Sequence, residues 1–289
     1  MASSPTLRRR RLSAQLHMLR LESGLTAEAA AREAKAKRPD RPWSAAKVVR
    51  IENREWKRLQ SDDVLTLLDV YKVTDKRERD AFVRLALEAS QSGWWVGYRD
   101  ILGTGAYVDL ETEASRIRTY QALAIPGLLQ TEEYARAIIR GGGVTDDREI
   151  ERRVEARMMR QHRLSEPDAP HLWAVVDEAA FHRIPAELRA EQLRHLIDVQ
   201  RPTLRVQVLP YEAGLHAGTS GSFVLLDFSG DPSVVYLEHS LSGLFPEDPA
   251  EVEHYATVFD VLQAQALSVD ESLAWMGDLL RQTEGTARA

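Results

Sequence analysis

Residues 45–50 combine small, apolar and basic side chains at helical spacing. One face of this helical pattern carries small or basic side chains, namely Ala45, Ala46, Val49 and Arg50. The opposite face carries Val48 and Ile51, which are three residues apart and suited to a hydrophobic core. Arginine can donate two hydrogen bonds to a guanine edge, and a small apolar side chain can contact a thymine methyl group. We therefore predict that the first face enters the major groove of DNA and contacts bases.

A second set of polar and basic residues surrounds this face. Its members are Thr26, Ser44, Lys47, Asn53, Arg54 and Lys57. Hydroxyl, amide and cationic side chains of this kind bind phosphate oxygens, which fixes the register of a protein on the duplex without reading its sequence. We predict that these six residues contact the DNA backbone. For each residue taken singly, an ordinary solvated side chain is the alternative.

Other residues were considered for catalysis or metal binding. The chain has eight His and no Cys, which excludes disulfides, zinc ribbons and thiol nucleophiles. The nearest polar cluster, Asp177-Glu178 with His182, offers too few ligands for zinc and is interpreted as a capping carboxylate beside a surface histidine. Neither H-E-x-x-H nor a glycine-rich phosphate loop occurs, and residues 218–221 lack the spacing of a nucleophile elbow. The sequence predicts no enzymatic activity, no cofactor and no metal.

Five helical patterns would position the N-terminal residues. They cover residues 9–22, 27–35, 45–52, 61–71 and 75–89. Gly24 is suited to the end of the first helix, and Thr26 and Ser44 are suited to the N-cap positions of the second and third. Pro39 and Pro42 interrupt the chain between those two helices. These signals predict an all-α helix-turn-helix bundle of four to five helices, with residues 45–52 as the DNA-reading helix.

Charge is distributed unevenly along the chain. Residues 1–60 contain 15 Lys and Arg against 6 Asp and Glu, a net charge of plus 9, although the whole chain carries minus 6. The remaining residues therefore carry minus 15. This asymmetry favours a nucleic-acid contact at the N-terminal part alone, with a merely solvated basic face as the alternative. The run Arg8 to Arg11 would either reach along DNA as an arm or begin the first helix.

The rest of the chain predicts a connector and an α+β domain. The predicted boundaries are residues 1–90 for the DNA-binding domain, 91–110 for a connector rich in Gly and aromatic residues that includes Trp94-Trp95, 111–281 for the second domain and 282–289 for a flexible tail. Helical patterns cover 111–124, 132–139, 147–164, 187–200, 252–266 and 269–281, and strand patterns cover 172–176, 204–209, 222–227 and 234–238. The last three strands follow one another through Gly- and Pro-containing links, which predicts a small, mainly antiparallel sheet. The loop at 211–222 would close over a ligand or partner, or be an ordinary connection.

Several short runs in the N-terminal bundle match a known pattern. They are Leu19-Arg20, Gly24-Leu25-Thr26, Ala30-Ala31, and the residues Ser44, Lys47, Val48 and Arg50 to Asn53. In these residues the chain resembles phage-repressor-like (xenobiotic-response-element, XRE) helix-turn-helix regulators. The resemblance implies a structural ion pair between Arg20 of the first helix and Glu52 of the third. The loop between the second and third helices is several residues longer than usual for such regulators, which affects the expected docking angle.

The second domain carries a resemblance of its own. Ile117 to Gln121, the run Ile125-Pro126-Gly127-Leu128-Leu129-Gln130-Thr131 and Tyr134-Ala135 resemble the second domain of actinobacterial toxin-antitoxin-like regulators, long described as a domain of unknown function. The likeness extends over about residues 90 to 280. It implies a role in regulating development or secondary metabolism, often together with a small partner protein.

These observations predict a sequence-specific transcriptional regulator that binds double-stranded DNA as a homodimer, because a single small module rarely provides enough specificity. The alternative is an antitoxin-like interaction protein whose C-terminal domain binds a small partner protein and whose DNA binding is autoregulatory. No stretch approaches 18 apolar residues, and the basic N-terminal run lacks the apolar segment of an export signal. We therefore expect no membrane contact and a cytoplasmic, nucleoid-associated protein.

Overall fold

The computed structural model describes residues 5–56, 58–90, 98, 105–238 and 243–288. The chain divides into two units, Met1–Glu113 and Ala114–Ala289. Most of the connector predicted at 91–110, including Trp94-Trp95, lies outside the described residues. Within the described ranges, no helix has the length and apolarity needed to cross a lipid bilayer.

The described part of the first unit is helical, as the sequence predicts. Its helices are α1 (Pro5–Glu22), α2 (Ala27–Lys37), α3 (Ala45–Glu52), α4 (Ser61–Val70), α5 (Lys76–Glu88) and α6 (Ala106–Glu113). Thr26, Ser44 and Asp75 cap α2, α3 and α5, since each side-chain oxygen accepts a hydrogen bond from the backbone N–H three residues ahead. The caps fix where these helices begin.

A single hydrophobic cluster holds α1 to α5 together. Its buried members include Leu12, Leu16, Ala30, Ala34, Val48, Leu67, Leu68 and Phe82. The alanines of α2 allow this helix to pack closely against α3, because their small side chains let the two backbones approach each other. The core therefore holds the helix-turn-helix pair by direct packing.

The second unit contains a six-stranded mixed sheet. Its strands are β1 (Arg116–Gln121), β2 (His171–Asp177), β3 (Leu204–Leu209), β4 (Phe223–Asp227), β5 (Val234–Glu238) and β6 (Gly243–Leu244), in the spatial order β3-β2-β1-β4-β5-β6. β1, β2 and β3 are parallel neighbours, whereas β4, β5 and β6 join the sheet antiparallel. The expectation of a mainly antiparallel sheet is therefore wrong, and the unit has α/β character.

Helices account for the parallel half of the sheet. They are α7 (Glu132–Gly141), α8 (Asp147–His162), α9 (Glu178–His182), α10 (Ala186–Asp198), α11 (Pro249–Gln265) and α12 (Val269–Arg288). α7 and α8 connect β1 to β2, and α9 and α10 connect β2 to β3, so each connection crosses over and returns the chain in the same direction. Phe259 and Leu262 of α11 are fully buried against the sheet. α12 continues to Arg288 through the segment predicted as a flexible tail, and Glu284 there pairs with Arg194 at 2.5 Å.

The central strand β1 falls within residues 111–124, for which the sequence pattern predicts a helix. Arg116 and Arg118 obscure the alternating pattern of a half-buried strand. Two charged residues in a central strand are unfavourable unless other residues compensate their charge. In the folded unit both guanidinium groups reach Asp227 of β4, at 2.8 Å and 3.2 Å. The charge compensation comes from a residue more than 100 positions away, which explains why the helical interpretation fails.

The outer edge of β3 has its outward N–H groups satisfied. Val206 N–H donates to Gln200 Oε1 at 3.1 Å, and Val208 N–H donates to Ser272 Oγ at 3.0 Å. Leu204 N–H donates to the carbonyl oxygen of Arg201 at 2.9 Å. These contacts come from the loop before β3 and from the start of α12, so local chain covers this side of the sheet.

Gly218 lies against the ring of Tyr120, which is 1% exposed. A Cβ atom at position 218 would stand 2.5 Å from Tyr120 Cε1, closer than real contacts allow. Gly218→Ala is therefore expected to destabilise the second unit by about 1–3 kcal/mol, as overpacking of cores does. Gly141→Ala in α7 is the matched control, because a Cβ there meets nothing within 4 Å. Thermal unfolding checks both variants, and equal melting temperatures would contradict the packing argument.

Candidate nucleic-acid interface

Helix α3 buries one face and exposes the other. Val48 and Ile51 are 0% and 3% exposed and belong to the core cluster. Three of the four residues predicted to contact bases, Ala46, Val49 and Arg50, are exposed, Val49 to 41%, and Ala45 is partly exposed. The structure thus brings these residues together on one open surface. Their contacts with DNA stay a prediction.

Arg50 has no ion pair or side-chain hydrogen bond among the described residues. Its guanidinium group is exposed near the end of α3. All five of its N–H donors are therefore free to meet a base edge, without first breaking a contact within the protein. Asn53, the C-cap residue of α3, is exposed on the following turn.

The hydroxyl groups of Thr26 and Ser44 accept hydrogen bonds at the starts of α2 and α3. Thr26 Oγ1 accepts from Ala29 N–H at 3.2 Å, and Ser44 Oγ accepts from Lys47 N–H at 3.1 Å. A hydroxyl that accepts one bond still has its own hydrogen to donate. Both residues are exposed, so capping is compatible with the predicted donation to phosphate oxygens.

Lys47 is engaged within the protein. Its ammonium group lies 3.0 Å from Asp63 Oδ2 and 4.1 Å from the centre of the Trp43 ring, and its side chain is 18% exposed. An ammonium over an aromatic face and beside a carboxylate is held by attraction from two sides. In the free protein Lys47 therefore braces α3 against α4, and the predicted phosphate contact requires it to leave or share this position.

The long loop between α2 and α3 is anchored close to the start of α3. Trp43 is 7% exposed and belongs to the core cluster. The Arg41 guanidinium donates to Asp62 at 2.8 Å and to Asp63 at 3.1 Å, at the first turn of α4. These contacts tie the loop to α4 and set the direction in which α3 leaves it.

Sequence reasoning missed the anchoring roles of Trp43, Asp62 and Asp63. From the sequence alone, the two aspartates are only favourable first-turn residues of α4, and the loop is only an interruption that contains two prolines. The available signal was a tryptophan between Pro42 and an N-cap serine, because a large aromatic side chain in a polar loop needs a buried site.

Glu52 and Arg20 form a two-pronged ion pair between α3 and α1. Arg20 Nε lies 2.7 Å from Glu52 Oε1, and Arg20 Nη2 lies 2.8 Å from Glu52 Oε2. The two side chains are 11% and 6% exposed. Burial alone would raise the pKa of Glu52, but hydrogen bonds from Arg20 and His17 outweigh it and hold this pKa below its usual value. The hydrogen bond to Glu52 likewise raises the pKa of Arg20.

Ser13 of α1 also anchors the last turn of α3. Its hydroxyl donates to the carbonyl oxygen of Ile51 at 2.6 Å and accepts from Trp56 Nε1 at 3.1 Å. Trp56 Nε1 also donates to the same carbonyl, at 3.1 Å. Since Ser13 is fully buried, this network fixes the last turn of α3 from behind and leaves its exposed face unobstructed.

Arg54 adopts a backbone conformation that is rare for side chains other than glycine. Its φ is +67°, directly after the C-cap residue Asn53. The reversal ends α3 and turns the chain, and the Arg54 side chain is exposed beside the open face. Lys72 has the same kind of backbone, with φ of +60°, after α4. Lys57, the remaining predicted phosphate contact, lies outside the described residues.

The basic run Arg8 to Arg11 lies inside α1, which favours the helical alternative over an extended arm. Arg8 pairs with Glu88 of α5 at 2.8 Å. The Arg9 guanidinium lies over the Trp56 ring at 5.2 Å, and burial lowers its pKa while Asp109 acts in the opposite direction. These positions hold the run against the bundle.

In the second unit, the cluster at 177–182 forms local contacts. Asp177 Oδ1 accepts from Ala179 N–H at 2.8 Å and caps α9, while Glu178 Oε1 lies 3.2 Å from His182 Nε2. Glu178 also accepts from Tyr211 N–H at 2.9 Å. The contacts are those of a helix cap and of a surface pair that holds the loop after β3.

Two family models match the chain. A model described as a helix-turn-helix domain matches residues 11–82, and one described as a domain of unknown function, DUF5753, matches residues 104–278. No curated protein and no solved structure matches it. The first match contains α2, α3 and the exposed face of α3 formed by Ala45, Ala46, Val49 and Arg50. It indicates DNA binding by the first unit. The second match covers more than half of the chain.

Proposed function

We propose that this chain, which belongs to the DUF5753 family of domains of unknown function and carries a helix-turn-helix domain before that region, is a sequence-specific transcriptional regulator. It inserts α3 into the major groove, reads bases with Ala45, Ala46, Val49 and Arg50, and holds phosphates with the surrounding polar residues. DNA is the partner of the first unit.

One observation supports this proposal above the others. The small and basic face of α3 is open to solvent, while Val48, Ile51 and the Arg20–Glu52 pair hold the helix from behind. A recognition helix needs both properties, because it must be rigid before it enters the groove and must present no bulky side chain at the contact. Packing of this face inside the bundle would have excluded the role.

The finer parts of the proposal come from the family resemblances and from charge. The chain acts as an XRE-type regulator of development or secondary metabolism and binds two half-sites as a homodimer. The second unit, residues 114–289, contains 17 Lys and Arg against 27 Asp and Glu, a net charge of minus 10 that repels the DNA backbone. The second unit therefore senses, dimerises or recruits, and leaves the duplex to the first.

The salt dependence of DNA affinity tests the proposal. Sequences selected from a random duplex pool by the full chain provide the specific site. The logarithm of the affinity should fall steeply and linearly with the logarithm of salt concentration between about 50 and 200 mM, because each phosphate contact releases counterions. A flat response, or no enrichment of any sequence, would contradict DNA recognition.

Within the same titration, Arg54→Gly isolates one phosphate contact. Glycine suits the positive φ of this position, which favours the folded backbone, and thermal unfolding of the variant measures what the loss of the Arg54 side chain costs. The affinity should fall by a similar factor on all sequences and the salt slope should shrink by about 1. Lys72→Gly, which makes the same backbone change after α4, is the control and should leave the slope unchanged.

A further inference from the structure

A groove runs between α1 and α5 on the first unit. Its cavity volume is about 570 Å³, and its apolar lining consists of Ala14, Met18, Leu19, Ala81, Phe82 and Leu85. Met18 is 53% exposed, although its neighbours Leu16 and Phe82 belong to the core. The groove therefore leaves apolar surface uncovered beside the bundle, at a place that the proposed DNA contact does not use.

The two ends of the groove carry opposite charge. The Arg8–Glu88 ion pair of 2.8 Å shows that the start of α1 lies beside the end of α5, so the helices run in opposite directions. Arg11, Arg84 and Glu88, whose carboxylate is paired with Arg8, line the groove near this end, and Glu22 and Glu78 line it near the other. Since α-helices rise 1.5 Å per residue, the stripe from Arg11 to Glu22 is about 16 Å long.

We propose that this groove is the contact by which a second copy of the chain docks, with the two α5 helices antiparallel across a two-fold axis. The proposal rests on the homodimer of the proposed function and names its surface. Glu78, Ala81 and Arg84 are spaced three residues apart on one face of α5. With the small Ala81 at the axis, Glu78 of each copy faces Arg84 of the other.

Charge selects a second copy as the occupant. A two-fold axis across the groove brings the acidic end of one copy onto the basic end of the other, twice per dimer. The apolar lining between the ends then meets an identical lining and both are removed from water. A groove only about 16 Å long offers less area than the roughly 800 Å² per partner of standard interfaces, so the dimer dissociates readily in dilute solution.

Sedimentation equilibrium of the full chain without DNA tests the proposal. The parent chain should show a reversible monomer–dimer equilibrium over a concentration series at low salt. Arg84→Glu and Glu78→Arg should each raise the dimer dissociation constant at least about tenfold, because each places like charges opposite one another at both ends. An equimolar mixture of these two variants should regain dimers, since each then supplies the charge that the other lacks.

Regained dimers in the mixture cannot come from misfolding, which makes this arm decisive. Arg32→Glu and Glu33→Arg, the same charge changes at exposed positions on α2, should dimerise like the parent. A parent that stays monomeric, or variants of the groove that dimerise as the parent does, would overturn the proposal. A monomeric chain would still bind a single half-site with a steep salt response, so failure of the dimer and failure of DNA binding give different results.

Discussion

Replacing Glu52 with Ala is expected to lower the free energy of unfolding of the first unit by about 3–5 kcal/mol. The reason is the position of Arg20, whose side chain is 11% exposed and also donates to the Leu25 carbonyl oxygen at 2.8 Å. Without the carboxylate, a guanidinium charge stays largely buried and keeps only part of its hydrogen bonding. Such a loss is a large share of the roughly 5–15 kcal/mol that stabilises a typical domain.

Chemical denaturation of the full chain, followed by circular dichroism, measures this effect. Hydrogen exchange of the α3 amides assigns the shifted transition to the first unit. Glu55→Ala, which removes an exposed carboxylate three residues further on, should change stability by less than about 0.5 kcal/mol. A double replacement of Arg20 and Glu52 by apolar residues should recover much of the loss, because no unpaired charge then remains. Equal losses of stability in the Glu52 and Glu55 variants would contradict a stabilising role of the ion pair.

The same pair gives the first unit a dependence on acid. Because the folded pKa of Glu52 is lowered, its contribution is complete above the ordinary glutamate pKa of about 4.3 and is lost as the pH falls through the folded value. The stability difference between the parent chain and Glu52→Gln should therefore shrink as the pH falls below about 4.

Replacing Arg50 with Ala should weaken binding to the preferred DNA sequence by about 1–3 kcal/mol, or roughly 5- to 150-fold. Arg50 is exposed and makes no side-chain contact among the described residues, so the substitution should leave folding nearly unchanged. A change in DNA affinity then reflects the loss of a contact with DNA and not a change in folding. In a random duplex selection, the variant should lose preference at one base position, where the parent prefers guanine, and keep the others.

Arg77→Ala on α5 is the matched control for charge. Arg77 is also exposed, and it lies in the first turn of α5, 27 residues after Arg50 in the sequence. Its loss should change affinity little and alter no base preference. If Arg50→Ala weakens binding equally to every sequence, Arg50 contacts a phosphate and the assignment to a base edge is wrong.

Local signals were sufficient to predict the helices of the N-terminal bundle. Ser44 places the start of α3 at Ala45, as the structure has it, because an N-cap hydroxyl acts on N–H groups within one turn. Val48 and Ile51 could be assigned to the core from their spacing alone. The Arg20–Glu52 contact came from the family resemblance, since no local rule pairs residues 32 positions apart.

Contacts between residues far apart in the sequence limited the prediction of the second unit and of the loop between α2 and α3. β1 could not be recognised without Asp227, which neutralises Arg116 and Arg118 from a neighbouring strand. β1, β2 and β3 are parallel because the helices that connect them cross over and pack on the sheet. The spacing of the strands along the sequence does not indicate such crossovers. The tie between the α2–α3 loop and Asp63 was missed for the same reason, because Lys47 and Arg41 reach it only in the folded bundle.

The covered edge of β3 has a consequence for how this chain behaves at high concentration. A row of strand donors open to water acts as a template on which a foreign strand can grow, the first step towards domain swapping and amyloid. In the second unit Gln200, Ser272 and the Arg201 carbonyl oxygen already occupy those donors. A further strand could pair with β3 only after the beginning of α12 had detached, so this edge of the sheet resists aggregation by strand addition.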